Sequence, residues 1–418
     1  MKRHRPDWSE LRPLINFKGI DLDRRRARLS RAYDAWDLRT IARRRTPKPA
    51  FEYVDGAASG EHALRRTRQT FADLEFRPGV LRDVSTVDVS TSVLGRRVGL
   101  PVGIAPTGFT RMMHAEGEIG GALAAGAQNL PFALSTMGTT ALEELAKAAP
   151  DTWRWFQLYL WRDRREDSLA LIERAQRSGY DVLMVTVDTA VGGLRLRDLR
   201  NGMTIPPQLT LRTVLDASYR PEWWFNFLTT DPLRFAVLSD TSTMTSTLVG
   251  QMFDPSITFG DLAWIRRSWP GKLVVKGIQS VDDALRARDE GADAVMLSNH
   301  GGRQLDRAPV PLRLLPQVRK AVGPDYQLII DSGIMSGGDI LAALALGANF
   351  TMVGRAYPYG LMAGGRQGVD RLFEILRNEI EVTMQLLGVR NMSELTPDHV
   401  NLDWRGRDIS AVESRLLN

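Results

Sequence analysis

The sequence predicts an α/β chain closed as a (β/α)8 TIM barrel, with a helical segment before it and a long insertion after the fourth strand. Three observations carry this. From residue 100 onward a short apolar run, a loop with Gly, Ser or Thr, and a helix closed by Gly or Pro recur eight times. The repeat spans about 250 residues, the size of such a barrel. The G-x-G-x-x-G fingerprint of a doubly wound dinucleotide-binding sheet is absent after the first run.

Residues 1–33 read as a basic arm. The first 50 residues hold 15 Lys+Arg against 6 Asp+Glu, whereas the whole chain carries only +6. The basicity is therefore terminal. Arg24-Arg25-Arg26 and Arg43-Arg44-Arg45 suit an anionic lipid surface or a solvated helix face. No stacking-aromatic motif accompanies them, so nucleic acid is not an expected partner. Residues 34–77 read as short helices, with Trp36, Leu38, Ile41 and Ala42 at helical spacing, then Phe51–Val54, then Leu64, Phe71 and Leu74.

The eight expected strands are Leu100–Ala105, Pro131–Leu134, Trp153–Leu158, Val182–Val187, Lys272–Val275, Ala294–Leu297, Gln327–Ile330 and Phe350–Val353. Between them, Thr140 with Glu143, Ser280 with Asp283 and Ser336 with Asp339 have the spacing of capping boxes. Gly291 and Gly347 stand where the last two of those helices should stop. The 84 residues between Val187 and Lys272 are too many for one helix and two loops, so 200–255 is read as an insertion. Its Trp223-Trp224-Phe225-Asn226-Phe227 run, with Arg212, Arg220 and Arg234 around it, has the composition of a membrane-surface element. Packing of these aromatics onto the barrel or a neighbouring subunit is the equal alternative. After the barrel, Val369, Leu372, Phe373, Leu376 and Ile380 form a helical stripe. The barrel domain is placed at 34–390 and a tail at 391–418.

Composition narrows the chemistry. With 418 residues, 43 % hydrophobic and 25 % charged, the chain has ample material for a core. It contains no cysteine, which removes disulfides, thiolate metal sites and cysteine nucleophiles. Five histidines, none at i, i+4 spacing, argue against a metal cluster. No apolar run reaches the length of a membrane-spanning helix, and no signal peptide is expected at the N-terminus.

In such barrels the C-terminal ends of the strands face the active site. These ends read Pro106-Thr107-Gly108, Ser135-Thr136, Gln157 and Tyr159, Thr186 and Asp188, Lys276, Ser298 and His300, Asp331 with Gly333, and Gly354-Arg355. The last two, after strands seven and eight, occupy the usual phosphate position. His300, three residues before Arg303 in a glycine-bracketed loop, is a candidate base beside an anion site. Asp188 suits support of a His300 imidazolium. Lys276 suits either a Schiff base, as in a barrel aldolase, or a fixed charge beside an electron-accepting ring. Simple pairing of Asp188 with Lys276 is the structural alternative.

At these positions the chain resembles the FMN-dependent L-2-hydroxy-acid dehydrogenase and oxidase family. S-N-H-G-G-R-Q-L-D at 298–306 is its most specific motif. I-A-P-T-G at 104–108, W-F-Q-L-Y at 155–159, T-V-D at 186–188, V-K-G at 275–277 and G-R at 354–355 support it. R-L-R-D at 195–198, N-G-M at 201–203 and the long insertion are most similar to the bacterial quinone-linked L-lactate dehydrogenases.

The resemblance implies oxidation of an L-2-hydroxy acid, L-lactate foremost, with electrons passed to quinone. Oxygen-using oxidases and mandelate-type dehydrogenases are the alternatives within the family. It implies that His300 takes the proton, Asp188 supports the imidazolium, Arg303, Arg195 and Tyr53 clamp the carboxylate, and Tyr159 hydrogen-bonds the hydroxyl. Lys276 would stand near the N1 side of the flavin. Pro106, Thr107, Gly108, Ser135, Gln157 and Thr186 would hold the ring; Ser298, Asp331, Gly333, Gly354 and Arg355 would hold the ribityl phosphate. A homotetramer or larger assembly, peripheral on the inner face of the cytoplasmic membrane through 215–245, is also implied.

The chain departs from the family pattern at several places. Met335 replaces an arginine after the D-x-G turn, which puts more of the phosphate on Arg355. Ala57-Ala58-Ser59-Gly60 replaces a more acidic run after Tyr53, and Ala190 replaces a proline after the T-V-D run. Gly108 stands where some members have alanine, which is expected to leave space above the flavin.

Overall fold

Parallel pairing closes the eight apolar runs on themselves in chain order, as a computed structural model of the chain shows. The structure describes residues 7–12, 23–161, 164–202, 218–238 and 253–402. The strands are β1 (Val102–Ile104), β2 (Pro131–Ser135), β3 (Trp153–Leu158), β4 (Val182–Thr186), β5 (Lys272–Ile278), β6 (Ala294–Leu297), β7 (Gln327–Ile330) and β8 (Phe350–Val353). Closure runs through β8 onto β1, where Val353 pairs with Ile104. Nearly every strand residue is buried, because a parallel sheet wrapped by helices has no wet face.

Strand β5 runs three residues beyond its expected end. The extension passes a register shift between Lys276 and Ile278. Gly277, at φ +101, makes that bulge, and a Cβ there would lie 2.7 Å from Cγ of Asp188. Only glycine allows both the backbone and the approach of the carboxylate.

The helices Val281–Asp289 and Gly337–Ala345 start and stop as the sequence indicates. Ser280 and Ser336 accept from the amides of Asp283 and Asp339. Gly291 and Gly347 follow with positive φ, and Ala292 and Ala348 donate back to Ala287 and Ala343, the wrap of a Schellman end. The expected box at Thr140 and Glu143 does not form. That helix spans Leu142–Ala148 behind Ala141, without a side-chain cap. The fully buried Glu118 carboxylate takes the Thr140 hydroxyl at 2.9 Å, together with the amide and hydroxyl of Thr139. Glu143 instead receives both Nε and Nη2 of Arg174 at 2.9 Å. A buried carboxylate without donors costs more than a surface cap contributes, so Glu118 wins the hydroxyl.

The segment before the barrel forms helices Ala35–Arg45, Lys48–Asp55 and His62–Ala72. The helix Arg366–Leu387 buries the whole expected stripe from Val369 to Ile380. Residues of the arm also dock: Leu29 is buried, and Arg28 donates to the Ala363 carbonyl at 3.1 Å. At the other end, Val400–Leu402 pairs antiparallel with Leu74–Phe76.

Of the insertion, helix Pro221–Thr229 and residues to 238 are described; 203–217 with Arg212 and 239–252 lie outside the described residues. Trp223 packs inward, its indole donating to the Met112 carbonyl at 2.9 Å. Phe225 and Leu228 face outward.

One half-buried carboxyl gives the fold a pH dependence. Glu379 accepts from the Gly337 amide at 2.7 Å. Burial pushes its carboxyl up to about 7, against the pull of that amide and with help from Asp339 and Asp34. A carboxyl raised on folding from about 4.3 contributes stability that is complete below that value. The contribution is lost as pH rises through about 7. Glu379→Gln should therefore raise the melting temperature relative to wild type at pH 8 and not at pH 4, as differential scanning calorimetry would show.

Candidate active site

The strand ends open into a cleft that encloses about 1620 Å³ of space, with the solvent at its mouth included. Tyr53, Pro106, Thr107, Gly108, Ser135 and Tyr159 line it, as do Arg195, Lys276, His300, Arg303, Asp331, Gly333, Gly354 and Arg355. Asp188, Gln157, Thr186 and Ser298 lie just behind these walls.

His300 sits at φ +57, followed by Gly301 and Gly302 with positive φ, and this left-handed turn lifts the imidazole off the strand. Its Nδ1 lies 3.1 Å from Oδ1 of Asp188, which fixes that nitrogen on the carboxylate and leaves Nε2 as the one available to a ligand. Burial would raise the Asp188 carboxyl, but His300 and then Lys276 overcome it and hold it below the ordinary range.

Asp188 and Lys276 do not pair with each other. Buried Lys276 reaches Oγ of Ser298 at 3.1 Å and Oδ2 of Asp331 at 3.5 Å. Ser298 also accepts from the His300 amide, so one hydroxyl links cation and base.

Arg195 and Arg303 flank the Tyr53 ring, with their guanidinium carbons 5.6 and 4.9 Å from its centroid. Burial, then Arg195, pushes Arg303 down to about 10, so it remains cationic at neutral pH. Asp198 lies 3.1 Å from Arg195. Two guanidiniums converging on one wall suit a carboxylate bound by paired donors. Burial, then Asp188, pushes the Tyr159 phenol above its ordinary value, so it stays a neutral donor.

The space expected beside Gly108 is filled. A Cβ there would lie 2.7 Å from Cβ of Met137, which itself lines the cleft. The expectation failed because the chain returning after β2 supplies the side chain that position 108 lacks. Arg355 also lines the cleft, and its Nε, Nη1 and Nη2 each donate one bond, to the carbonyls of Val54, Gly301 and Gly56 at 2.7–3.0 Å.

Trp36, Arg68 and Met137 line the cleft as well, although no motif points to them. For Arg68 a weaker signal existed. It stands four residues after Leu64 and three before Phe71, a charge on the buried face of an amphipathic helix.

These residues fit a flavin. Among the described residues, the buried Gln157 Nε2 and Thr186 Oγ1 have no hydrogen-bond partner, which leaves polar groups open to a bound ring. A Cβ added at Gly354 would meet nothing within 4 Å, so there is open space just before the first turn of helix Ala356–Gly364. In that first turn the Tyr357 amide already donates to the Gly354 carbonyl and Pro358 has no N–H, which leaves the Ala356 amide to an anion.

The sequence pattern of the FMN-dependent dehydrogenases matches residues 42–402. The chain belongs to this family. As an FMN-dependent dehydrogenase it is 55 % identical over 400 residues to a putative L-lactate dehydrogenase of Mycobacterium tuberculosis, covering 96 % of each chain. It is 42 % identical to the L-lactate dehydrogenase of Caulobacter vibrioides, over 86 % of this chain and 95 % of that one. Among solved structures, the monotopic membrane protein (S)-mandelate dehydrogenase superposes with a TM-score of 0.85 at 37 % identity, over 89 % of this chain and all of the other. A flavocytochrome b2 mutant with pyruvate bound gives 0.76 at 29 % identity, over 92 % of each. Membership of a flavin family displaces the Schiff-base reading of Lys276, whose ammonium is engaged by Asp331 and Ser298.

Proposed function

We propose that this FMN-dependent dehydrogenase oxidises L-lactate to pyruvate and passes the electrons to a membrane quinone. The observation that carries the reading is that His300, held on Asp188, lines one cleft together with the guanidiniums of Arg195 and Arg303 and with buried Lys276.

FMN supplies the two-electron acceptor. Arg303 and Arg195 hold the substrate carboxylate, and Tyr53 packs beneath both. Tyr159 donates to the substrate hydroxyl oxygen. Nε2 of His300 takes the proton, and the Asp188 carboxylate at Nδ1 stabilises the imidazolium that results. Lys276 fixes a positive charge where negative charge accumulates on reduction. Pro106, Thr107, Gly108, Ser135, Gln157 and Thr186 hold the ring. Ser298, Asp331, Gly333, Gly354 and Arg355 would hold the ribityl phosphate. Met137 against Gly108, and Phe253 edge-on to Tyr159 at 5.9 Å, narrow the wall beside the substrate and favour a small side chain.

The test is anaerobic bleaching of the bound flavin by L-lactate, glycolate, mandelate and longer hydroxy acids, then reoxidation by a quinone or by oxygen. L-Lactate should bleach fastest and quinone should reoxidise fastest. Faster bleaching by mandelate overturns the substrate; faster reoxidation by oxygen overturns the acceptor.

The quinone reading places the enzyme peripherally on the inner face of the cytoplasmic membrane. Exposed Tyr219, Phe225 and Leu228 on and beside helix Pro221–Thr229 support it, while Trp223 anchors that helix to the barrel. Among the described residues no helix is long and apolar enough to cross a membrane. Each exposed apolar side chain contributes about 1.5–3 kcal/mol on burial. The double substitution Phe225→Ser with Leu228→Ser should thus lower partitioning onto phospholipid vesicles at least tenfold while turnover with a soluble acceptor persists. Unchanged vesicle binding would instead assign the face to packing between subunits of a homotetramer or larger assembly.

A further inference from the structure

The turn Asp331–Met335 brings no cation of its own to the phosphate end of the cleft, because position 335 is methionine. A cation arrives from another element. Helix His62–Ala72 lies against the loops that follow β6 and β7, and several contacts hold it there. Asp306 accepts from the amides of Gly60 and Ala63 at 3.0 and 2.9 Å. Asn299 donates to the Thr67 hydroxyl at 3.1 Å. Gly333 packs so closely that a Cβ would lie 2.5 Å from Cγ2 of Thr67.

From this clamped helix Arg68 enters the cleft. Its Nη1 donates to the Gly333 carbonyl and, at 2.7 Å, to Oδ2 of Asp339. The same carboxylate oxygen accepts from the Met335 amide at 2.8 Å, so the guanidinium stands beside the backbone of the residue that lacks a charge. Trp36 and Phe71 hold the guanidinium carbon 5.6 and 5.4 Å from their ring centroids. Its side chain is 14 % exposed. Among the described residues, Nε and Nη2 make no hydrogen bond, whereas all three guanidinium nitrogens of Arg355 already serve carbonyls.

We propose that Arg68 is the principal side-chain donor to the phosphate of FMN, reaching it through Nε and Nη2 from a helix outside the barrel. Asp339 orients the guanidinium and offsets its charge. Arg355, whose nitrogens meet carbonyls and no carboxylate, supplies the unbalanced positive charge behind it. The division of labour suits a phosphate monoester dianion: one arginine gives directed hydrogen bonds, the other gives field.

The inference rests on the phosphate lying between Gly333 and Gly354, and the test separates the two claims. Flavin is stripped from the holoenzyme and titrated back, with FMN and riboflavin compared by fluorescence quenching. Wild type should prefer FMN strongly; equal affinity for the two flavins would refute the phosphate position itself. Arg68→Met should weaken FMN binding about 10- to 100-fold, the loss of one or two hydrogen bonds to a charged group, and leave riboflavin binding unchanged. Adding Met335→Arg to that variant should recover much of the FMN affinity. Arg68→Lys, which keeps the charge but not the fork, should fall between. An unchanged FMN-to-riboflavin ratio in Arg68→Met and Arg68→Lys, including an equal loss for both flavins, would overturn the role of Arg68.

Discussion

His300→Ala should retain FMN and lose its reduction by L-lactate by about 10²- to 10⁴-fold, the usual contribution of a positioned base. The side chain touches the cleft through its ring, while the turn that carries it is held by backbone bonds from Gly302 to Asn299 and from Ala58 to Gly302. Removing the imidazole therefore spares the frame. It leaves Asp188 buried without its 3.1 Å partner, with Lys276 the nearby cation that still favours its charge. Stopped-flow reduction under anaerobic conditions gives the rate, and the visible spectrum gives the flavin content. Retained fast reduction with a full complement of FMN would remove His300 from the chemistry.

Lys276→Met should lower the reduction rate about 10²- to 10³-fold and shift the flavin midpoint potential downward, because the cation aimed at the developing negative charge is gone. The substitution also isolates Asp331. Breaking a buried pair by removing one partner costs about 3–5 kcal/mol, so the melting temperature should fall too. The two effects separate in Lys276→Met with Asp331→Asn, which removes the stranded charge. Stability should recover in that double variant; the rate and the potential should not. Recovery of both would make Lys276 a structural residue only.

The strands of this barrel were open to reading because each is buried on both faces and so appears as an unbroken apolar run, from Trp153–Leu158 to Phe350–Val353. The helix ends at Gly291 and Gly347 were legible for a related reason, since a positive φ restricts residue type locally. The motif at 298–306 carried the candidate base, the arginine and their turn in nine consecutive residues.

What failed depended on partners distant in the chain. Thr140 and Glu143 have the spacing of a capping box, yet Glu118 and Arg174 claim them. Gly108 implies room until Met137 is placed beside it.

Residue type and short-range spacing thus determined the barrel and the polar groups at its strand ends, because periodicity and turn chemistry act over a few neighbouring residues, while the flavin came from the resemblance of the motifs at those ends to a known family. Folding alone decided which donor meets which acceptor: that Lys276 pairs with Asp331 and not Asp188, and that Arg68 arrives beside Met335. Hydrogen bonds and desolvation are settled at distances of about 3 Å, and residues more than 250 positions apart reach that distance only once the helices have closed around the barrel.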